Sequence, residues 1–342
     1  MLATITAIGF WESAMFSVDG TLEPRSELLP NEAINQRQLP HFNAAFRQIQ
    51  LDPTHPNYPK QSDLKILRND TIAALVLSQQ MQALHQWGTT FKEHGALLVA
   101  NSNFIDDDVL DFESITTAVS QLQTALDPAT ENKLFGSTIS PLLPLRTLTN
   151  GAQSFIAQYL GFYGSSTTYG STGIASVQAL RDACNLIIID ASRLILVGGC
   201  HFANLFSFLN NCLLLHDTEG YAEASAASFF MLTAANPKVS GKHNLHILHF
   251  YQNLEELQGE HVDWLFYGGA FTPLEDAKLL ARCQHLQYQE AFSWFAHTGN
   301  LGAAELGMLL AAAGNWLRKG QTAVVLIQDA FGVLELFKVE HA

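Results

Sequence analysis

Four consecutive pieces decide the fold: Ser166-Thr-Thr-Tyr169, Gly170-Ser-Thr-Gly173, the segment from Ile174 to Ala191, and Leu194-Ile-Leu-Val-Gly-Gly199. The first is rich in β-branched and aromatic residues and reads as a short strand. Gly170 and Gly173 mark a turn, and the segment from Ile174 reads as a helix. Leu194 to Val197 is apolar at every position, so a strand there is buried on both faces. Strand, helix and doubly buried strand in succession are the unit of an α/β fold on a mixed sheet.

Outward from this unit the pattern repeats. Residues 2–8 alternate and predict a first strand. Residues 69–86 predict a helix, with Asn69 at its start and Ile72, Leu75, Leu77 and Met81 along one stripe. Gly95 to Ala100 reads as a buried strand. Asp106-Asp-Asp108 then opens a helix carrying Val109, Phe112, Ile115, Val119 and Leu122, its acids well placed at the N-terminus. Asp127-Pro128 ends it, Ser140-Pro-Leu-Leu-Pro144 is extended, and Asn150 starts a helix through Leu160. Strands follow at Ala226–Leu232, Leu245–Phe250, Val262–Tyr267, Ala323–Gln328 and Val333–Val339, with helices at Leu274–Cys283 and Leu301–Leu317. The order of elements divides the chain into two similar halves, 1–236 and 237–342. Within the first, residues 20–63 hold Pro24, Pro30, Pro40, Pro53, Pro56 and Pro59, which predicts an irregular, partner-facing insertion.

The 342 residues suffice for one large domain or two packed halves. Charged residues make up 15 %, against about 25 % in an average domain. A partner covering part of the surface would explain that, as would a large buried sheet. With 18 Lys+Arg against 32 Asp+Glu the net charge is −14, which disfavours nucleic acid as a partner. No basic run suggests a membrane surface, and no apolar run reaches the roughly 20 residues of a membrane span. The N-terminus lacks a basic region and a cleavage site, so it reads as a strand rather than a signal peptide. Cys184, Cys200, Cys212 and Cys283 fit neither a disulfide framework nor a zinc site, which points to reduced thiols and a cytoplasmic protein. His243, His246, His249 and His261 lack metal-ligand spacing as well, so neither metal nor cofactor is expected.

Several motifs stand in a fixed order. Ser140-Pro-Leu-Leu-Pro144 is followed by Asn150, Leu160-Gly-Phe-Tyr-Gly-Ser-Ser166, Ala183 and Gly198-Gly199. Later come Tyr267-Gly-Gly-Ala-Phe-Thr-Pro-Leu-Glu-Asp276, Thr298-Gly-Asn-Leu-Gly-Ala-Ala304 and Phe331-Gly-Val-Leu-Glu-Leu-Phe337. Together they resemble the β-ketoacyl synthases across residues 1–19 and 69–342. The resemblance implies a thiolase-like, five-layered αβαβα fold with two related halves. It also shows departures. Gly173 stands where that family has its nucleophilic cysteine, Gly268 where it has its first histidine, and Asn300 where it has its second.

Each departure removes chemistry. Decarboxylative condensation needs a thiolate to hold the acyl chain, and a helix N-terminus favours that anion. Polarising donors then stabilise the enolate and carbonyl oxygens. Glycine supplies neither nucleophile nor donor. Asn300 can still donate a hydrogen bond, or can serve simply as the N-cap of the following helix. Gly173, in turn, can be a plain helix-start glycine.

A ketosynthase-like chain without its cysteine resembles the chain length factors of type II polyketide synthases. That resemblance implies a non-catalytic subunit in a heterodimer with an active ketosynthase, with the polyketide growing into a tunnel at the shared interface. The acyl carrier protein would dock mainly on the partner. Tunnel-gating residues would be Phe112, Ile115 and Val119, although an apolar stripe at this spacing also suits ordinary core. The product would be an aromatic polyketide or an aryl polyene. Two rival readings are an acyltransferase using Ser171 or Cys200, and a self-associating scaffold. Cys200 and His201 are neighbours on a strand and so point to opposite faces, which weakens them as a pair. His297 is a further candidate for a polar tunnel-lining group.

Overall fold

The computed structural model describes residues 1–12, 15–22, 37–38, 44–47, 49–101, 145, 148–170, 173–191, 193–215, 218–234 and 243–342. Its strands are β1 (Ala3–Glu12), β2 (Phe16–Ser17), β3 (Arg37–Gln38), β4 (Ala44–Arg47), β5 (Ala96–Asn101), β6 (Ser165–Gly170), β7 (Ile195–His201), β8 (Tyr221–Ala224), β9 (Ala226–Thr233), β10 (Leu245–Tyr251), β11 (His261–Gly268), β12 (Gln287–Phe292), β13 (Thr322–Gln328) and β14 (Leu334–His341). The helices are α1 (Asn69–His85), α2 (Thr89–His94), α3 (Gly151–Leu160), α4 (Ile174–Ile189), α5 (Leu205–Cys212), α6 (Pro273–Arg282), α7 (Phe295–Thr298) and α8 (Glu305–Trp316).

One sheet runs β12-β11-β13-β14-β10-β1-β9-β7-β5-β6. It is two copies of one arrangement joined back to back. In the first half β6, β5 and β7 are parallel, and β9 and β1 follow antiparallel. In the second, β12, β11 and β13 are parallel, and β14 and β10 follow antiparallel. A short antiparallel register, Ala3 to Ile247 through Ile5 to Leu245, joins β1 to β10.

Side chains on alternate faces build the layers. Leu97, Val99, Leu196, Phe229 and Met231 face outward and pack against Ile72, Leu75 and Met81 of α1 and Ile156 and Leu160 of α3. The inner residues Ile195, Val197, Phe230 and Leu232 meet α4 and α8, which also carry Phe266, Val325, Ile327 and Val339 of the second half. Leu265, Val324 and Leu326 face the far side and pack on Leu279 of α6. The result is five layers, α1/α3, sheet, α4/α8, sheet, α6. Both faces of the central strands of each half-sheet are covered, which is why β5, β7, β9, β11 and β13 are apolar along most of their length, while the edge strands β6 and β12 are polar. Each buried Leu, Ile or Phe in these layers contributes about 1.5–3 kcal/mol relative to exposure.

Several expectations need correction. The helix predicted from Leu301 begins at Glu305, because Gly302–Ala304 forms a 3-10 turn first. A close backbone approach imposes that turn: a Cβ on Gly199 would lie 1.7 Å from the Ala303 carbonyl oxygen. Within 20–63 the described residues include two short strands, β3 and β4. β3, β4 and β8 form a small second sheet, and Arg47 is buried. Residues 55–63 form a strap on their own chain, held where Tyr159 donates to Asp63 (2.7 Å) and Gln79 donates to the Asn57 carbonyl (3.1 Å). The polar edge strand β12 and the short elements β8, α5 and α7 were not legible in the sequence. The helix expected after Asp106, the segments at 127–128 and 140–144, Ser171 and the boundary at 236/237 lie outside the described residues.

Candidate functional site

Gly173 and Gly268 meet at Ile327 near the end of β13, and Asn300 is tied to the loop that follows Gly268 through Ala270. Gly173 sits at the N-terminal end of α4 with helical dihedrals, and its carbonyl accepts from the Ser176 hydroxyl at 2.8 Å. Gly268 closes β11 in register with Ile327. Gly269 has φ +100° and lies so close to the Gln328 carbonyl that a Cβ would stand 1.8 Å from it. Only glycine accommodates both the dihedral and the contact. Asn300 follows α7, donates to the Ala270 carbonyl at 3.1 Å and accepts from the Gly302 N–H at 2.8 Å. It therefore braces a loop and does not cap α8.

β8 holds these loops together. The Ala222 N–H donates to the Phe271 carbonyl (3.0 Å), its carbonyl accepts from the Asn300 N–H (3.0 Å), and the Ala224 N–H donates to the Asn300 carbonyl (2.8 Å). Behind β8 lies a buried polar network. Glu223 meets His201 Nε2 at 2.8 Å and accepts from Ser207 (2.5 Å) and Tyr221 (3.0 Å), while Asn211 donates to Tyr221 (3.0 Å). The His201 ring packs under Gly302, where φ is +52° and a Cβ would stand 2.5 Å from Cγ. A side chain at 302 would push this loop off its support.

The space beside the two glycines is filled. A Cβ on Gly173 would lie 2.8 Å from Ile327 Cγ2. A Cβ on Gly268 would lie 2.2 Å from Glu305 Oε1. Glu305 is buried, and its carboxyl accepts from the Gly269 N–H at 3.0 Å. Burial pushes that carboxyl up to about 8; the bonds from the Gly269 and Leu301 N–H groups oppose the shift, and the nearby Asp276 adds to it. Burial raises Asp276 as well, against hydrogen bonds from Ser293 and Tyr267. Ile327, Glu305 and the network around Glu223 gave no signal in the sequence, because a motif says nothing of what fills the room beside it. A cleft of about 330 Å³ opens beside this cluster, lined by Thr272, Leu274, Gln328 and Phe331 among others.

The other sequence candidates lie elsewhere. Phe112, Ile115 and Val119 are outside the described residues. Cys200 is fully buried on the outer face, near Asp70 Oδ2 (4.0 Å) and the Ala100 carbonyl (3.9 Å). His297 stacks on Phe292 with centroids 5.6 Å apart, and its carbonyl accepts from Arg47 at 2.7 Å. Among the described residues no group of three His, Cys, Asp or Glu side chains is placed to hold a metal, and no helix is long and apolar enough to cross a membrane.

A second surface lies at the edge of the first half. β6 ends the sheet, and Ser165, Ser166, Thr167 and Gly170 are exposed. Beside it α4 presents an exposed stripe of Gln178, Asp182, Asn185, Ile188 (63 %) and Ile189 (80 %). Tyr169 of β6 donates to Asp182 of α4 at 2.7 Å, so strand and helix form one face.

No protein-family profile matches the sequence, and no curated protein matches it. Solved structures do match over the full length. A chain of the AntDE:AntF assembly, a type II polyketide synthase acyl-carrier protein in complex with its ketosynthase bound to the hexaketide, superposes with a TM-score of 0.68 at 11 % identity, covering 99 % of both chains. The ishigamide ketosynthase/chain length factor matches with a TM-score of 0.68 at 15 % identity and 99 % coverage of both. This chain has the thiolase-like ketosynthase fold. A β-ketoacyl synthase from Burkholderia phymatum agrees, with a TM-score of 0.67 at 10 % identity and 99 % coverage of both chains. On this fold the five layers and the repeated strand order are the two related halves that the motif order implied.

Proposed function

We propose that the chain is a non-catalytic subunit of the chain-length-factor type, paired with an active ketosynthase in type II polyketide synthesis. One observation carries the reading. At Gly173 and Gly268, which the motif order assigns to the nucleophile and the first histidine, a Cβ would run into Ile327 and Glu305 respectively. A thiol restored at 173 alone would meet Ile327 before it met a substrate.

Pairing is supported by the open face of β6 and α4. Among the described residues β6 pairs on one side only, and an edge strand without proline, lysine or other charge is a template for another chain. Exposed Ile188 and Ile189 beside it would be covered in the same contact. Similar structures include a ketosynthase with its acyl carrier protein and a ketosynthase/chain length factor. In this reading Phe112, Ile115 and Val119 line the tunnel, the partner receives the carrier, and the product is an aromatic polyketide. Analysis of the product made by the reconstituted pair separates that from an aryl polyene.

The test is intact-mass analysis after incubation with acetyl and malonyl thioesters, alone and with the partner. The expected result is no acyl adduct on this chain and full acylation of the ketosynthase. A stoichiometric adduct here, mapped to Ser171 or Cys200, would replace the reading with an acyltransferase.

A further inference from the structure

Glu305 is a buried acid that the proposed subunit role does not use. It opens α8, directly after the 3-10 turn that follows Asn300. Two loops meet on its carboxyl. The 268–272 loop supplies the Gly269 N–H at 3.0 Å, and the Asn300-bearing loop supplies the Leu301 N–H. The same carboxyl fills the space in front of Gly268, where even a methyl group would stand 2.2 Å from Oε1. One side chain thus closes the room beside the vacated positions and ties together the loops that surround it.

Among the described residues, the following groups lie near it. From α6 comes the half-buried carboxyl of Asp276, held by Ser293 (2.8 Å) and Tyr267 (3.3 Å). From β7, His201 lies beneath Gly302 and is engaged with Glu223. From β13, the Gln328 backbone carbonyl lies against Gly269, while its side chain accepts from Arg282 (2.8 Å). The neighbour whose charge acts on Glu305 is therefore another acid. An ionised Glu305 loses hydration and meets like charge, and the two N–H groups offset this only in part.

We propose that Glu305 is a proton-controlled latch: uncharged, it plugs the space at Gly268 and fastens the 268–272 loop to the 299–302 loop; ionised, it withdraws and frees both. The latch rests on the reading of this site as vacated and adds a regulation to it. Its turning point falls near the value of about 8 to which burial carries the carboxyl, so the closed form predominates at neutral pH and below.

The test is hydrogen–deuterium exchange on the full chain from about pH 6 to about pH 9.5, corrected for intrinsic rates, with β9 as the internal reference. In the wild type, protection of residues 268–272 and 298–306 should fall about tenfold once the pH exceeds the turning point by one unit, since one unit changes the ionised-to-neutral ratio tenfold. Glu305→Gln, which cannot ionise, should keep that protection throughout, and Glu305→Ala should be loose at every pH. A wild-type profile without a transition confined to these loops would overturn the latch, as would a Glu305→Gln profile identical to the wild type. If Glu305→Gln does not fold, the wild-type profile decides alone. Loops that ignore pH in a subunit that forms no acyl adduct would sink the latch and spare the proposed function; an adduct would do the reverse.

Discussion

The two halves share one strand order, yet their outer edges differ. β6 and β12 occupy equivalent edge positions. β6 reads Ser-Ser-Thr-Thr-Tyr-Gly, without charge, whereas β12 includes Glu290. The neighbouring middle-layer helices differ in the same sense. α8 is buried from Glu305 through Gly314, while α4 exposes a stripe ending in Ile188 and Ile189. Both edge strands are exposed, but the first-half edge alone is uncharged and flanked by the exposed Ile188 and Ile189, so it is the more open to an apolar contact. The open side is the one a partner would cover, and the reading predicts one partner on the first half rather than symmetric contacts on both.

The largest expected effect comes from breaking that asymmetry. Ile188→Asp with Ile189→Asp should weaken binding to the ketosynthase by at least about 100-fold, because buried apolar anchors dominate interfaces. Gln289→Asp on the equivalent edge β12 should change it by less than about threefold, the scale of a rim residue. Titration of the two variants side by side checks this, and equal losses would erase the distinction between the edges.

Next is the filled site. Gly173→Cys should cost about 1–3 kcal/mol through overpacking against Ile327 and should stay unreactive to iodoacetamide. Combining it with Ile327→Ala should relieve the clash and make the thiol reactive, at a further cavity cost of about 2–5 kcal/mol. Denaturant melts and alkylation rates read both effects.

Glu305 sets the sign of a pH effect. Its folded value of about 8 lies above the 4.5 of a free carboxyl, so the folded state holds the proton more tightly. Its contribution to stability is full below 4.5, falls as the pH rises through that window, and is lost above about 8. Melting temperatures across this range should fall less for Glu305→Gln than for the wild type.

The smallest effect in energy concerns product length. Val119→Phe should shorten the polyketide made by the reconstituted pair without weakening the pair, as read by mass spectrometry of the products. Unchanged length would remove Val119 from the tunnel.

The apolar strands and α1, α3, α4 and α6 were legible because doubly buried strands and periodic stripes leave strong signals, and motif order then fixed the layers. β12 was missed because a half-exposed polar edge has no run of apolar residues. The start of α8 was misplaced because Gly302 takes a left-handed turn under a tertiary contact with β7. At the candidate site, the motifs drew attention to Gly173, Gly268 and Asn300, but the side chains packed against the two glycines, Ile327 and Glu305, come from β13 and α8. Asn300 read as a cap, and its bonds to Ala270 and Gly302 depend on β8, whose own sequence is too short to announce it.

The most direct measurement is native mass spectrometry of the chain alone and co-expressed with a ketosynthase from the same source. The account predicts a one-to-one heterodimer, and a monomer or poor solubility for the chain alone. A stable homodimer that ignores the ketosynthase would contradict it.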